Sequence, residues 1–211
     1  MACWWRWERA IKKSLRAAEQ LRPDVVALRQ AWPGLLDSID LSHLVFLDES
    51  GAKTNMVPVY GRSFDGKRLV DYAPHGHYQL TTVIGALRLD GVGACMTLDA
   101  ALDALAFAAY VENFLAPSLR EGDVVILDNL PSHHAAAVEQ VIAARGARVL
   151  WLPPYSPDFN PIEKMWSKIK QFLRKAKART HQDLIEAISQ ALKTVTPSDA
   201  LGWFQSCGYA N

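Results

Sequence analysis

Three acidic residues stand where a chain can do chemistry. Asp48 follows the apolar run in "HLVFLD", Asp128 follows the one in "DVVILD", and Glu163 comes just after "RVLWLPP" and a proline-rich stretch. Short continuous apolar runs bounded by turn residues read as strands buried on both faces. If the first two strands are parallel neighbours, both aspartates emerge at one edge of the sheet, where ligands bind in open α/β folds. Glu163 then arrives from a third element, at the start of a helix. Three carboxylates on one edge repel each other unless a cation compensates. Hard cations such as Mg²⁺ take oxygen ligands, a few from the protein and the rest from phosphates and water. Two such ions about 4 Å apart activate a nucleophile and stabilise the leaving oxygen of a phosphoryl transfer.

Each residue also has a plainer reading. Asp48 and Asp128 can start turns. With Asn160 as N-cap and Pro161 at N1, Glu163 falls at the capping-box position. In the cap case its carboxylate turns back to the backbone N–H of Asn160. In the ligand case it faces Asp48 and Asp128. The four prolines of "LPPYSPDFNPIEKMW" (152–166) stiffen the approach to Glu163, which a ligand needs more than a cap does.

Several further elements must hold these groups in place. Between the first two strands, "YQLTTVIGALRLDG" and "GVGACMTLDA" form a hairpin around Asp90 and Gly91. "LDALAFAAYVENFLAPSL" (102–119) is a buried helix ended by Pro117. "HHAAAVEQVIAARG" is a helix closed by Gly146, lying between two apolar strands in a βαβ arrangement. "NPIEKMWSKIKQFLRKAKA" carries Ile162, Met165, Trp166, Ile169, Phe172, Leu173 and Ala176 on one helical stripe. Two further helices complete the tail. Near the N-terminus "WERAIKKSLRAAEQLR" reads as a basic helix, with Pro23 and Pro33 breaking the segment after it. The fold class is α/β, a mixed sheet flanked by helices with a helical C-terminal tail.

The blocks "FLDESG", "LDNLPSHH" and "LPPYSPDFNPIEKMWSKIK" resemble the signature segments of DDE transposases, closest to bacterial insertion-sequence enzymes of the Tc/mariner superfamily. Asp48, Asp128 and Glu163 match its three acidic positions, and the last two are 35 positions apart, as in this branch. The resemblance implies a ribonuclease H-like fold and catalysis by Asp48, Asp128 and Glu163 with Mg²⁺ or Mn²⁺, two ions. It implies strand cleavage at transposon ends and attack of the freed 3′-hydroxyl on target DNA, typically at TA. It also implies a homodimer on DNA in a bacterial cytoplasm, at the nucleoid. The division is then an N-terminal arm or linker over 1–40, a catalytic domain over 41–180, and a helical extension of it over 181–211. The helix-turn-helix domain of full-length relatives is expected to be absent here, either because the chain is the second reading frame of a split or frameshifted gene, with a separately encoded portion to supply it, or because it is a truncated copy. The alternative is an inactive remnant that only binds DNA or a partner; a third reading is a structure-directed nuclease.

Asn129 and His133 share the second block and are candidates to contact substrate or a hydrated metal, although both also suit a turn or helix start. Between 164 and 179 seven basic residues run without an acid. Of these Lys164, Lys168, Lys170, Arg174 and Lys175 are the candidate DNA-binding set, contacting phosphates without reading sequence; an ordinary solvated face is the alternative. Glu49 points away from Asp48 if the strand continues. In bulk, 23 basic residues nearly balance 22 acidic ones, so net charge argues neither for nor against nucleic acid. Cys3, Cys95 and Cys207 form no metal-binding or disulfide pattern and fit a reducing compartment. No apolar run approaches the roughly 20 residues of a membrane span.

Overall fold

The computed structural model describes residues 16–61, 63, 67–128 and 136–209. Within them a five-stranded sheet runs in the order β3-β2-β1-β4-β5. Its strands are β1 (Leu44–Lys53), β2 (Leu80–Arg88), β3 (Gly91–Leu98), β4 (Val124–Leu127) and β5 (Arg148–Trp151). β1 pairs antiparallel with β2 and β2 with β3. On the other side β1 pairs parallel with β4, and β4 with β5. The expected mixed sheet and the hairpin at Asp90 and Gly91 are both present. Gly91, at φ 125°, takes the left-handed backbone that the turn requires.

β1 is apolar on both faces because both faces are covered. Leu44 and Phe46 enter one core with Trp32 and Leu36 of α1 (Pro23–Leu36), the apolar face of α4 (Ile162–Ala176), and residues of α5 (His181–Lys193) and α6 (Pro197–Ser206). Val45 and Leu47 enter the other core, with Phe107 and Tyr110 of α2 (Ala104–Tyr110) and Val138 and Ile142 of α3 (Ala136–Ala143). Phe46 meets Phe204 edge-on at 5.3 Å and Tyr209 at 5.2 Å, joining the C-terminal helices to the sheet. Burying each such side chain contributes about 1.5–3 kcal/mol, so neither layer is an ornament to the sheet.

Three expectations need correction. First, Pro23 and Pro33 do not break the chain. Pro23 sits at the first position of α1, where its missing N–H costs nothing. Pro33 lies within the last turns of the same helix, held by burial of Trp32 and Leu36. Second, Asp48 does not start a turn: β1 runs on to Lys53, paired with β2 residue by residue as far as Leu80. Third, the helix after residue 102 is not uniform. α2 gives way to a π-helical turn (Val111–Leu115) and then to a 3-10 turn containing Pro117. Trp4 to Trp7 and most of the basic N-terminal segment lie outside the described residues.

Candidate active site

The parallel register of β1 and β4 decides where the aspartates go. Leu44 lies opposite Val124 and Phe46 opposite Ile126. Carried two residues further, the same register sets Asp48 level with Asp128. Side chains alternate along a strand, so Asp48 shares the face of Leu44 and Phe46 and looks toward α4. Glu49 takes the opposite face, as anticipated. Glu163 and Trp166 are three apart in the first turns of α4 and so are neighbours on its surface. The indole Nε1–H of Trp166 donates to Asp48 Oδ2 at 3.2 Å, and the backbone N–H of Glu49 donates to Oδ1 at 2.8 Å.

That indole contact depends on a glycine. Gly85 faces Asp48 across the β1–β2 ladder. A Cβ there would stand 3.0 Å from the Trp166 ring and 3.0 Å from Cys95 Sγ. The glycine lets the indole lie close over β2 and reach Asp48, and a register shift in β2–β3 occurs between Gly85 and Leu87.

The cap reading of Glu163 fails. α4 begins after Pro161 with no side-chain cap. The backbone N–H of Asn160 donates to Pro157 O, and that of Glu163 donates to Asn160 O. Among the described residues no hydrogen bond or ion pair engages the Glu163 carboxylate, which is exposed. Asp48, Asp128 and Glu163 instead line one cavity of about 500 Å³, with walls from the proline-rich loop. Its buried floor includes Asn160, whose side-chain oxygen has no hydrogen-bond partner among the described residues.

The loop is held from outside by α1. Arg29 forks onto Asp158 at 2.7 and 3.0 Å, donates to Ser156 Oγ at 2.6 Å, and lies over the Phe159 ring. Trp32 stacks on Phe159 and donates to the Tyr209 hydroxyl, which donates to Phe159 O. Tyr155 takes a left-handed backbone at φ 56°, a conformation that needs such support in a residue other than glycine.

Burial, then the charges of Glu163 and Glu49, push the Asp48 carboxyl up to about 8. Carboxylates are thus crowded at a poorly solvated site. Oxygen donors so placed suit a hard divalent cation. No group of three acidic, histidine or cysteine residues among those described stands close enough to hold a metal as it is. The expected triad shares a cavity, and its carboxylate oxygens are the donor type that a hard cation takes beside water and phosphate.

Asn129 and His133 lie outside the described residues. Of the basic candidates on α4, Lys164 and Lys175 are exposed and Lys170 and Arg174 half-buried. Lys168 is already committed: its ammonium donates to Thr194 O at 2.8 Å and to Asp199 Oδ2 at 2.6 Å. That tie, with the Thr196 hydroxyl and N–H, lowers the Asp199 carboxyl to about 2. Trp166 and Asn160 read in the sequence only as a position of an apolar stripe and an N-cap, and neither Gly85 nor α1 is marked there as part of the site. Of the latter two only Gly85 left a sign, as a glycine inside an apolar strand.

The chain belongs to the DDE superfamily endonuclease family, which it matches over residues 43–185. It is 25% identical over 171 residues to the Transposable element Tcb2 transposase of Caenorhabditis briggsae, across 75% of this chain and 62% of that protein. Its fold is similar to that of a chain in the Mos1 mariner paired end complex with Mn, at a TM-score of 0.73 and 16% identity, over 93% of this chain and 63% of that one. The catalytic domain of Mos1 mariner transposase matches at a TM-score of 0.67 and 14% identity, over 92% and 91%. The expected ribonuclease H-like mixed sheet with a helical C-terminal region is therefore the observed fold. The chain spans about 62% of the length of Tcb2. No helix among the described residues is long and apolar enough to cross a membrane.

Proposed function

We propose that the chain is the catalytic domain of a transposase, cutting DNA at the ends of a mobile element and joining the freed 3′-hydroxyl to target DNA. The observation that carries this reading is the convergence of three strand- and helix-borne carboxylates, with Asp48 level with Asp128, on one open cavity. Membership of the DDE endonuclease family and similarity to Tcb2 support it. Asp48, Asp128 and Glu163 would hold Mg²⁺ or Mn²⁺, probed most simply with Mn²⁺ because a Mos1 complex carries that ion. When bound, two such ions lower the pKa of a water or 3′-hydroxyl and stabilise the leaving oxygen. The chain's own contribution is positional. β1 and β4 fix two carboxylates, α4 and the braced loop fix the third, and Trp166 orients Asp48. The low dielectric of the buried face strengthens each of these interactions.

Lys164, Lys170, Arg174 and Lys175 would contact DNA phosphates along α4. Lys164 and Arg174 line a groove between α4 and α6 with Trp203. Lys168 is left out of that set because its charge is spent on Asp199. Paired subunits on two DNA ends, with a helix-turn-helix portion supplied from elsewhere, and a preference for TA targets belong to the same proposal. The test is incubation with Mn²⁺ and DNA bearing the terminal repeats that flank the reading frame, with the helix-turn-helix portion supplied. Strand cuts leaving 3′-hydroxyls at the repeat ends are expected, and loss of at least a thousandfold in rate for Asp128→Asn. Equal cutting by Asp128→Asn contradicts the assignment, and cutting of branched DNA without repeats points to a structure-directed nuclease.

A further inference from the structure

The acidic cavity has one basic residue in its described lining, Arg22. It comes from the segment ahead of the sheet, not from the basic face of α4. Its place is fixed twice over. Pro23 restricts Arg22 to extended backbone, observed at φ −62° and ψ 133°. The helix that Pro23 opens is pinned to the far wall of the cavity through Arg29 and Trp32. One turn earlier, Gln20 donates to Tyr155 O on the same wall. The Arg22 guanidinium forks onto Asp24, to which Nε donates at 3.1 Å and Nη2 at 2.6 Å. These bonds use two of its five N–H groups, so three donors remain for another oxygen-bearing group. The side chain is more than half exposed.

Three carboxylates repel a phosphodiester that enters beside them. Metal ions offset that repulsion where they sit, and the rest of the strand needs positive charge from the protein. A planar fork suits phosphate oxygens better than a point charge. We propose that Arg22 is a DNA-binding residue of this cavity, its guanidinium engaging a phosphate of the strand presented to Asp48, Asp128 and Glu163. This rests on the transposase reading of the site.

The test measures anisotropy of a fluorescein-labelled duplex of arbitrary sequence across a range of salt, with Ca²⁺ replacing Mn²⁺ to suppress cutting. Each phosphate contact contributes about 0.9 to the slope of log K against log salt. Arg22→Gln is expected to reduce the slope by about that amount, and Arg22→Lys to restore most of it. Arg120→Gln, which removes an exposed charge paired with Asp90 at the opposite end of β4, leaves it unchanged. Asp24→Asn breaks the same ion pair as Arg22→Gln, so a merely structural pair predicts equal loss from both. A phosphate contact predicts that Asp24→Asn binds at least as well as the unaltered protein. If the unaltered protein binds duplex and Arg22→Gln keeps its slope, or Asp24→Asn loses as much, the assignment of Arg22 is wrong while the transposase reading stands. If the unaltered protein neither binds duplex nor, with Mn²⁺ and the helix-turn-helix portion supplied, cuts DNA bearing the terminal repeats, that reading falls and the assignment with it.

Discussion

At the scale of single residues, the site turns on how Asp48 is held. A buried carboxyl beside two other acids must be oriented, and Trp166 does this with one N–H. Trp166→Phe keeps an apolar ring but removes the donor. Leaving a buried acceptor unsatisfied costs about 1–3 kcal/mol, so denaturant unfolding is expected to show a loss in that range, together with slower Mn²⁺-dependent cutting. Gly85→Ala acts on the same contact from beneath, since the new methyl would press on the indole at 3.0 Å. Overpacking of this kind costs about 1–3 kcal/mol. Because both changes act through one ring, the double variant is expected to lose less stability than the sum of the singles, and additivity would show that Gly85 does not act through Trp166. In the sequence Trp166 reads only as one more apolar position on a helical stripe. The period of the stripe reports burial, and it says nothing of where an indole N–H points.

At the scale of elements, the apolar bursts of β1, β4 and β5 were legible because strands covered on both faces cannot hide their composition. The proline-rich loop was legible as a stiff approach, and its end as a choice between cap and ligand, of which the backbone hydrogen bonds of Asn160 and Glu163 remove the cap. α1 was not legible. Proline signals a boundary, and Pro23 marks a beginning as naturally as an end. The link from Arg29 to Asp158 spans residues far apart in the chain, and no local pattern announces it. A second hidden device lies at the opposite end of the sheet. Asp123, fully buried at the start of β4, accepts from Arg88 of β2, from the Arg120 backbone N–H at 2.7 Å, and meets His43 at 3.3 Å. Burial alone would raise its carboxyl, but Arg88, Arg120 and His43 together hold it below the usual carboxylate range. A depressed carboxylate stabilises the fold above its unfolded pKa of about 3.9, and that contribution is lost as pH falls through the lower native value. Asp123→Asn is therefore expected to cost about 3–5 kcal/mol near neutrality. The gap to the unaltered protein should narrow below pH 4 in denaturant titrations, and a gap independent of pH would refute the ion-pair origin.

At the scale of the molecule, α1, α4, α5 and α6 share a single core with one face of the sheet. The described segment 16–40 is joined to that core by Trp32 and Leu36, so calorimetry is expected to show one cooperative transition. A separate low-temperature transition that Trp32→Ala abolishes would show instead that α1 is an appendage. The same integration explains how a residue as early as Arg22 comes to border a cavity built by Asp48, Asp128 and Glu163. The central claim is that these three carboxylates, brought together from β1, β4 and α4, act as one cation site. Titration calorimetry with Mn²⁺ tests it most directly, comparing the unaltered chain with Asp128→Asn and Glu163→Gln. Saturable binding weakened at least tenfold by each substitution is expected. Mn²⁺ affinity indifferent to Glu163 would contradict it.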